Sequence, residues 1–375
     1  MKEPGQVTIL RIGIIGLGEI AQVSHILNLN NLSDYFTITY LCHASKQAIE
    51  HCSKKVAGGA PKLTSNAEEL IASPDVDVVL VCCVNAFHAS YAILALQQNK
   101  YVLVEKPLAL NYRDIDAIIE AEKHSRGKVF VGYQRRYAEA FLDAVDEVAT
   151  LEKIEYIRVK DIIGPNSSFV GQSGTYPKTF TDFESEAAAK MVSMEEEMVK
   201  EALVRDYGLT TIPDSMSMFR ILTGLGVHDL SSLRELVGMP TAVLGASLQW
   251  PIWNVLLQYK DFPVSYESGI INVPSFDANI EIYAKNKIVR VNYDTPYVKG
   301  LPVTMTIRER IDGSKGDAFQ ERIIRKTYED PFTLQFLEFH RCATEGRTPK
   351  TSALDARQDL DLIGMMMRKG FSAKS

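Results

Sequence analysis

The chain of 375 residues is expected to fold as two domains. Residues 1–135 read as a doubly wound parallel α/β domain, and residues 136–375 as an α+β domain with a large, mostly antiparallel open sheet. Three observations carry this. Short apolar runs alternate with helical stretches through the first third, which is the pattern of strand–helix units in a parallel sheet. A glycine-rich turn, Gly16-Leu17-Gly18, follows the first apolar run directly. Beyond residue 150 the apolar period changes to two, as in half-covered antiparallel strands. The length itself favours two cores over one.

In order, Ile9 to Ile15 is the first strand, and Gly16-Leu17-Gly18-Glu19-Ile20-Ala21 leads into a helix reaching about Asn30. Strand, glycine turn and helix in this order form a dinucleotide fingerprint. Gly16 permits the tight turn, Gly18 lets the backbone approach a pyrophosphate, and Ala21 lets the helix pack closely. The anion would sit on free N–H groups at the helix start, around Glu19 and Ile20. Phe36 to Cys42 is the second strand, whose end should read the adenosine ribose. An acid there would bind a 2′-hydroxyl and a base a 2′-phosphate. This chain has His43-Ala44-Ser45-Lys46, without a carboxylate, so Ser45 and Lys46 lean towards NADP. Lys46 is equally readable as the start of a solvated helix.

Asn66 with Glu69 three residues on reads as a capping box. Val76 to Val84 is a strand, followed by Asn85, His88 and a helix to about Gln98. Tyr101 to Val104 is a Val-rich buried strand that runs into Glu105-Lys106-Pro107. Ligands of open α/β sheets lie outside the carboxyl ends of the strands, so Lys106 leaves the sheet at a ligand site. Pro107 keeps Lys106 out of the helical region. Asn111 caps a helix through about His124, and Lys128 to Gly132 is the last strand.

In the second domain Tyr137 to about Thr150 reads as a helix and Ile154 to Ile163 as a strand. Residues 164–182, rich in Gly, Pro, Ser and Thr, read as a long loop over the substrate. Ser185 to about Arg205 is a charged helix with Glu195-Glu196-Glu197 as a solvated face, and Pro213 opens another. Gly226-Val227-His228-Asp229 then opens a helix with Val227, Leu230, Leu233 and Val237 on one face. From Thr241 to Arg310 strands alternate sides, and Pro331 and Ser352 start two final helices that could pack back on the first domain.

The net charge of −6 argues against nucleic acid as the main partner. No run of 18 or more apolar residues suggests a membrane span. Met1 to Val7 is too polar for a signal peptide, so a cytoplasmic location is expected. Cys42, Cys52, Cys82, Cys83 and Cys342 lack metal-ligand spacing and read as reduced thiols, and no metal is expected.

Taken together, the glycine turn, Asn85 with His88, Glu105-Lys106-Pro107 and Gly132-Tyr133-Gln134-Arg135-Arg136 resemble the Gfo/Idh/MocA oxidoreductases. That family is named after glucose-fructose oxidoreductase and inositol dehydrogenase. The resemblance implies a Rossmann domain, an NAD(P) cofactor and a sugar, polyol or related hydroxyl-bearing substrate. It implies Lys106 as the catalytic lysine, Asn85 near the cofactor and Glu105 on the nicotinamide ribose side. His228 matches the family's active-site histidine. Two positions depart from the pattern. Cys83-Val84 stands where many members have Thr-Pro. Gly224 stands where many have an Asp four residues before the histidine, leaving Asp229 as the nearest substitute acid.

Hydride transfer needs a proton moved on or off the substrate oxygen, a task suited to Lys106 with His228 assisting. Partial burial and nearby positive charge would lower the Lys106 pKa towards the working range. Arg135 and Arg136 are candidates for substrate contact or for an ion pair at the domain junction. A homodimer or higher homo-oligomer is expected through the open sheet face. Two other readings are a nucleotide-binding regulator without turnover, and a glycoside hydrolase or lyase using transient nicotinamide oxidation.

Overall fold

The structure is a computed structural model and describes residues 7–311 and 317–372. By compactness the chain forms two units. The first gathers residues 1–132, 175–202 and 335–357, and the second gathers 133–174, 203–334 and 358–375. The first boundary falls at Gly132/Tyr133, and two later stretches return to the first unit.

The first unit contains β1 (Leu10–Ile15), β2 (Phe36–Cys42), β3 (Lys62–Thr64), β4 (Val78–Val81), β5 (Tyr101–Val104) and β6 (Val129–Val131). They pair in the order β3-β2-β1-β4-β5-β6, all parallel. This is the doubly wound order, with its reversal between β1 and β4. The sequence favours it because β4, β5 and β6 are buried at every position. A strand covered on both faces is a parallel-sheet strand. β3 was not anticipated, since Lys62 and Leu63 are exposed and three residues show no pattern.

The second unit contains β7 (Ile154–Ile163), β8 (Ala242–Ser247), β9 (Ile252–Gln258), β10 (Pro263–Ile270), β11 (Phe276–Ala284), β12 (Lys287–Tyr293), β13 (Thr304–Arg310) and β14 (Phe319–Ile324). Their order is β14-β13-β12-β11-β7-β10-β9-β8, antiparallel except where β10 meets β7. Ala278, Ile280 and Ile282 are buried, as the alternation requires. The opposite face is polar, with ion pairs such as Arg158–Glu267 at 3.0 Å.

Four local expectations change. Asn66 Oδ1 does cap its helix, accepting from Glu68 N–H at 2.9 Å, but Glu69 does not complete the box. Its carboxylate instead accepts from Tyr40 Oη and Thr64 Oγ1, both at 2.5 Å. The long loop contains a helix, Asn166–Gly171, and its last part, residues 175–182, belongs to the first unit. No helix opens at Gly226: Pro213–Ile221 continues through a π-helical turn, Leu222–Gly226, into Val227–Val237. Lastly, Glu195 is half-buried against Asn85 and not a purely solvated side chain.

Candidate active site

The site elements of the first unit stand along one edge of the parallel sheet, at its carboxyl ends. Gly16 sits at φ +101°, and a Cβ there would lie 2.5 Å from the Cys82 and Cys83 backbone. Only glycine fits this crossing of the turns after β1 and β4. Gly18 is the reverse case: a Cβ there would meet nothing within 4 Å. The space over Gly18 is open, at the start of the helical stretch that begins at Glu19. A pyrophosphate fits that cradle, because it needs backbone approach and free N–H groups. Glu19 is exposed and Ile20 half-buried at this start.

After β5 comes the turn with Glu105 and Lys106. Glu105 is 7% exposed, yet it is held ionised. Burial raises its pKa, but a hydrogen bond from His25 Nε2 at 3.0 Å, the charges of His25 and Lys106 and the Lys106 N–H at 3.2 Å prevail, and the net shift is downward. His25 comes from the helix that follows the glycine turn. Gly132 packs against Glu105, where a Cβ would come within 3.3 Å of the carboxylate. Lys106 itself is half-buried.

His88 is fully buried, with Nδ1 2.8 Å from Pro107 O and Nε2 3.1 Å from Cys83 O. Burial lowers its pKa. The ring lies between the turn after β4 and the turn after β5, with both nitrogens facing backbone carbonyls, so it positions the Lys106 turn. Asn85 is half-buried, and its Nδ2 donates to Glu195 Oε2 at 3.4 Å.

At the end of β2, His43 Nδ1 accepts from Ser45 N–H at 2.9 Å, and burial lowers the His43 pKa. Ser45 is buried and caps the helix Lys46–Ser53, its Oγ accepting from Ala48 N–H at 2.9 Å. Lys46 is exposed. The Ser45 hydroxyl donates to Asp182, a residue of the returning stretch.

The second unit holds the remaining candidates. His228 is half-buried two residues past the π-helical turn, a feature frequent at functional sites. Asp229 points to Arg135, whose Nη1 donates to Asp229 at 2.5 Å and to Asp161 at 3.1 Å. Burial and the charge of Asp161 push the Asp229 carboxyl well above the usual carboxylate range. Two buried carboxyls on one guanidinium cannot both ionise cheaply. Arg135 also lies over the Tyr293 ring at 5.0 Å. Arg136 Nε donates to Glu235 at 2.5 Å. Both arginines engage carboxyl groups of the second unit. Asp229, the acid next to His228 in sequence, is paired with Arg135. A side chain at Gly224 would meet nothing within 4 Å.

Sequence reasoning missed His25, Asp182 and Glu195. Each meets its partner across 80 or more positions, and no local pattern marks such pairs. Among the described residues there is no group of His, Cys, Asp and Glu suited to hold a metal, and no helix is long and apolar enough to cross a membrane. The five cysteines carry free thiols.

The model of an oxidoreductase family with an NAD-binding Rossmann fold, GFO_IDH_MocA, matches residues 10–133. Over these residues the chain is similar to that family. Myo-inositol 2-dehydrogenase of Thermotoga maritima is 33% identical over 170 residues, covering 44% of this chain and 49% of that enzyme. The chain thus spans about half the length of the curated relatives it matches. Levoglucosan dehydrogenase, solved with NADH and levoglucosan, superposes with a TM-score of 0.72 at 16% identity, covering 97% of each chain. A 3-ketoreductase from Actinomadura kijaniata, solved with NADP, gives 0.68 at 14% identity, covering 96% of this chain and 98% of that one. These two likenesses extend the shared fold beyond the matched segment.

Proposed function

We propose that the chain is an NAD(P)-dependent oxidoreductase moving a hydride between a nicotinamide cofactor and a CH–OH carbon of a sugar, polyol or related metabolite. The observation that carries this reading is the Lys106 turn. It stands beside the β1/β4 switch point, anchored by Glu105 to His25 and by Pro107 to His88. A rigidly supported lysine at a strand's carboxyl end is placed for proton work. The relatives support the substrate class, since myo-inositol and levoglucosan are both polyhydroxyl rings.

The Gly16–Ala21 turn would hold the pyrophosphate over Gly18, with Asn85 and Glu105 towards the nicotinamide end. When bound, the nicotinamide supplies the carbon that takes or gives the hydride. Lys106 Nζ takes the proton from the substrate hydroxyl during oxidation, or returns it during reduction. His228 assists. Ionised Glu105 holds the Lys106 backbone by accepting from its N–H. In cofactor choice the donors Ser45 and Lys46 favour NADP only if Asp182 leaves Ser45. A homo-oligomer is part of the proposal: β8 and β9 expose Leu244, Ile252 and Leu256 on one stretch of sheet.

The test is a screen of polyols and anhydrosugars with both dinucleotides, followed by nicotinamide absorbance. Lys106→Ala should lower turnover by roughly 10²–10⁴-fold and leave dinucleotide affinity nearly intact. His228→Ala should cost less, and the double variant less than the product of the two losses. Full turnover in both single variants would overturn the assignment. Turnover without net absorbance change would favour the hydrolase or lyase reading.

A further inference from the structure

Asp182 stands 137 positions from Ser45 in the chain, yet its carboxylate occupies the start of the helix that follows β2. One carboxylate oxygen accepts from Ser45 Oγ, and the other accepts from Gln47 N–H at 3.0 Å. The stretch that delivers it is fastened along its length. Lys55 Nζ donates to Thr175 O at 3.3 Å, and the Phe180 ring lies 5.4 Å from His51. Gln22 holds Lys178 through both backbone atoms, at 2.9 Å each, and its Nε2 also reaches Leu17 O in the glycine turn at 3.0 Å. Residues 175–182 therefore run from the helix after β2 to the glycine turn. They lie on the dinucleotide-binding elements, where a loop over the substrate was expected.

This placement matters because of what the end of β2 does in such a fold. It reads the adenosine ribose, by an acid for a 2′-hydroxyl or by donors and bases for a 2′-phosphate. No acid lies between Phe36 and Ser45. The donors are present: the Ser45 hydroxyl, the Gln47 N–H and the helix start, a set that suits an anion. Asp182 already uses them, and the Ser45 bond first and the Gln47 bond second hold its carboxyl below the usual range.

We propose that Asp182 selects the 2′ group of the cofactor, in favour of the unphosphorylated ribose of NAD. This rests on the NAD(P) reading given above. A ribose 2′-hydroxyl can donate to the carboxylate where it stands. A 2′-phosphate brings negative charge to the same donors, and must displace Asp182 or lie against it in like-charge contact. The lean towards NADP drawn from Ser45 and Lys46 counts the donors and omits the acid that sits on them.

The test is calorimetric titration of the wild type, Asp182→Asn and Asp182→Ala with NAD and with NADP, without substrate. Asp182 is exposed, so neither variant threatens folding. The wild type should bind NAD more tightly than NADP. Each variant should shift the ratio of the two Kd values towards NADP by roughly tenfold or more, the scale of one relieved like-charge contact. A wild type that prefers NADP, or a ratio equal in all three proteins, would overturn the role of Asp182. If neither dinucleotide binds the wild type, the oxidoreductase reading fails, and the selection by Asp182 fails with it.

Discussion

Glu105 and Asp229 are both buried carboxyls adjacent in sequence to a candidate catalytic residue, and they are held in opposite states. Burial acts on both in the same direction, upward. Glu105 meets His25 at 3.0 Å and the Lys106 N–H, and these outweigh the burial. Asp229 must share Arg135 with Asp161, whose charge adds to the burial. The ratio of donors to carboxyls decides the outcome, and depth alone does not. For function the difference separates Lys106 from His228. The acid beside Lys106 is charged and fixed, whereas the acid beside His228 is consumed by an internal pair.

The comparison breaks most visibly at Arg135. Arg135→Leu leaves two buried carboxyls without their cation and should cost about 3–5 kcal/mol, read from urea unfolding. A loss below about 1 kcal/mol would mean that Asp161 and Asp229 do not depend on that guanidinium.

Glu105→Gln is the next largest, at about 1–3 kcal/mol, since it removes the charged partner of His25. Its signature is a pH dependence. The folded pKa of Glu105 is lowered, so its contribution is present above the unfolded value of about 4.3 and is lost as pH falls through the folded value. The Gln variant should lack that acid-side loss; an unchanged profile would show that Glu105 is not held ionised.

Asp229→Asn should have the smallest effect at neutral pH, roughly 1 kcal/mol, and the opposite signature. Here the folded pKa is raised, so the folded state binds the extra proton. Stability then declines as pH climbs from the unfolded value of about 3.9 towards the folded one. The Asn variant should flatten that decline, and a decline of the same steepness would place the shared proton elsewhere.

Much of the fold was legible because it is written locally. Val78 to Val81 and Tyr101 to Val104 are short, apolar and bounded by turn residues, and both are strands as expected. The glycine turn and Glu105-Lys106-Pro107 were legible for the same reason. The helix around His228 was misread because Gly224 and Gly226 look like a stop, whereas a π-helical turn carries the chain through them. Arg135 offered two roles that sequence could not separate, because its partners Asp161 and Asp229 lie 26 and 94 positions away. Asp182 was invisible for the same cause: its surroundings, Thr181 and Phe183, say nothing about Ser45.

The first unit is stitched from three stretches of chain, and this bears on how it is born. Phe36 of β2 stacks on Phe339 at 6.4 Å and meets Phe336 edge-on at 5.9 Å, while Phe130 of β6 meets Phe339 at 5.5 Å. His25, the partner of Glu105, leans on Phe336 at 5.5 Å. During synthesis the six parallel strands emerge long before those two phenylalanines. Until then a nascent sheet carries Phe36 and Phe130 uncovered, and the support behind the Lys106 turn is unfinished. Chains of this size fold as units while being made, and exposed apolar faces in the interval invite wrong association. A ribosome stalled after residue 135 would hold the whole glycine turn and the lysine, yet not the aromatic wall that closes them in.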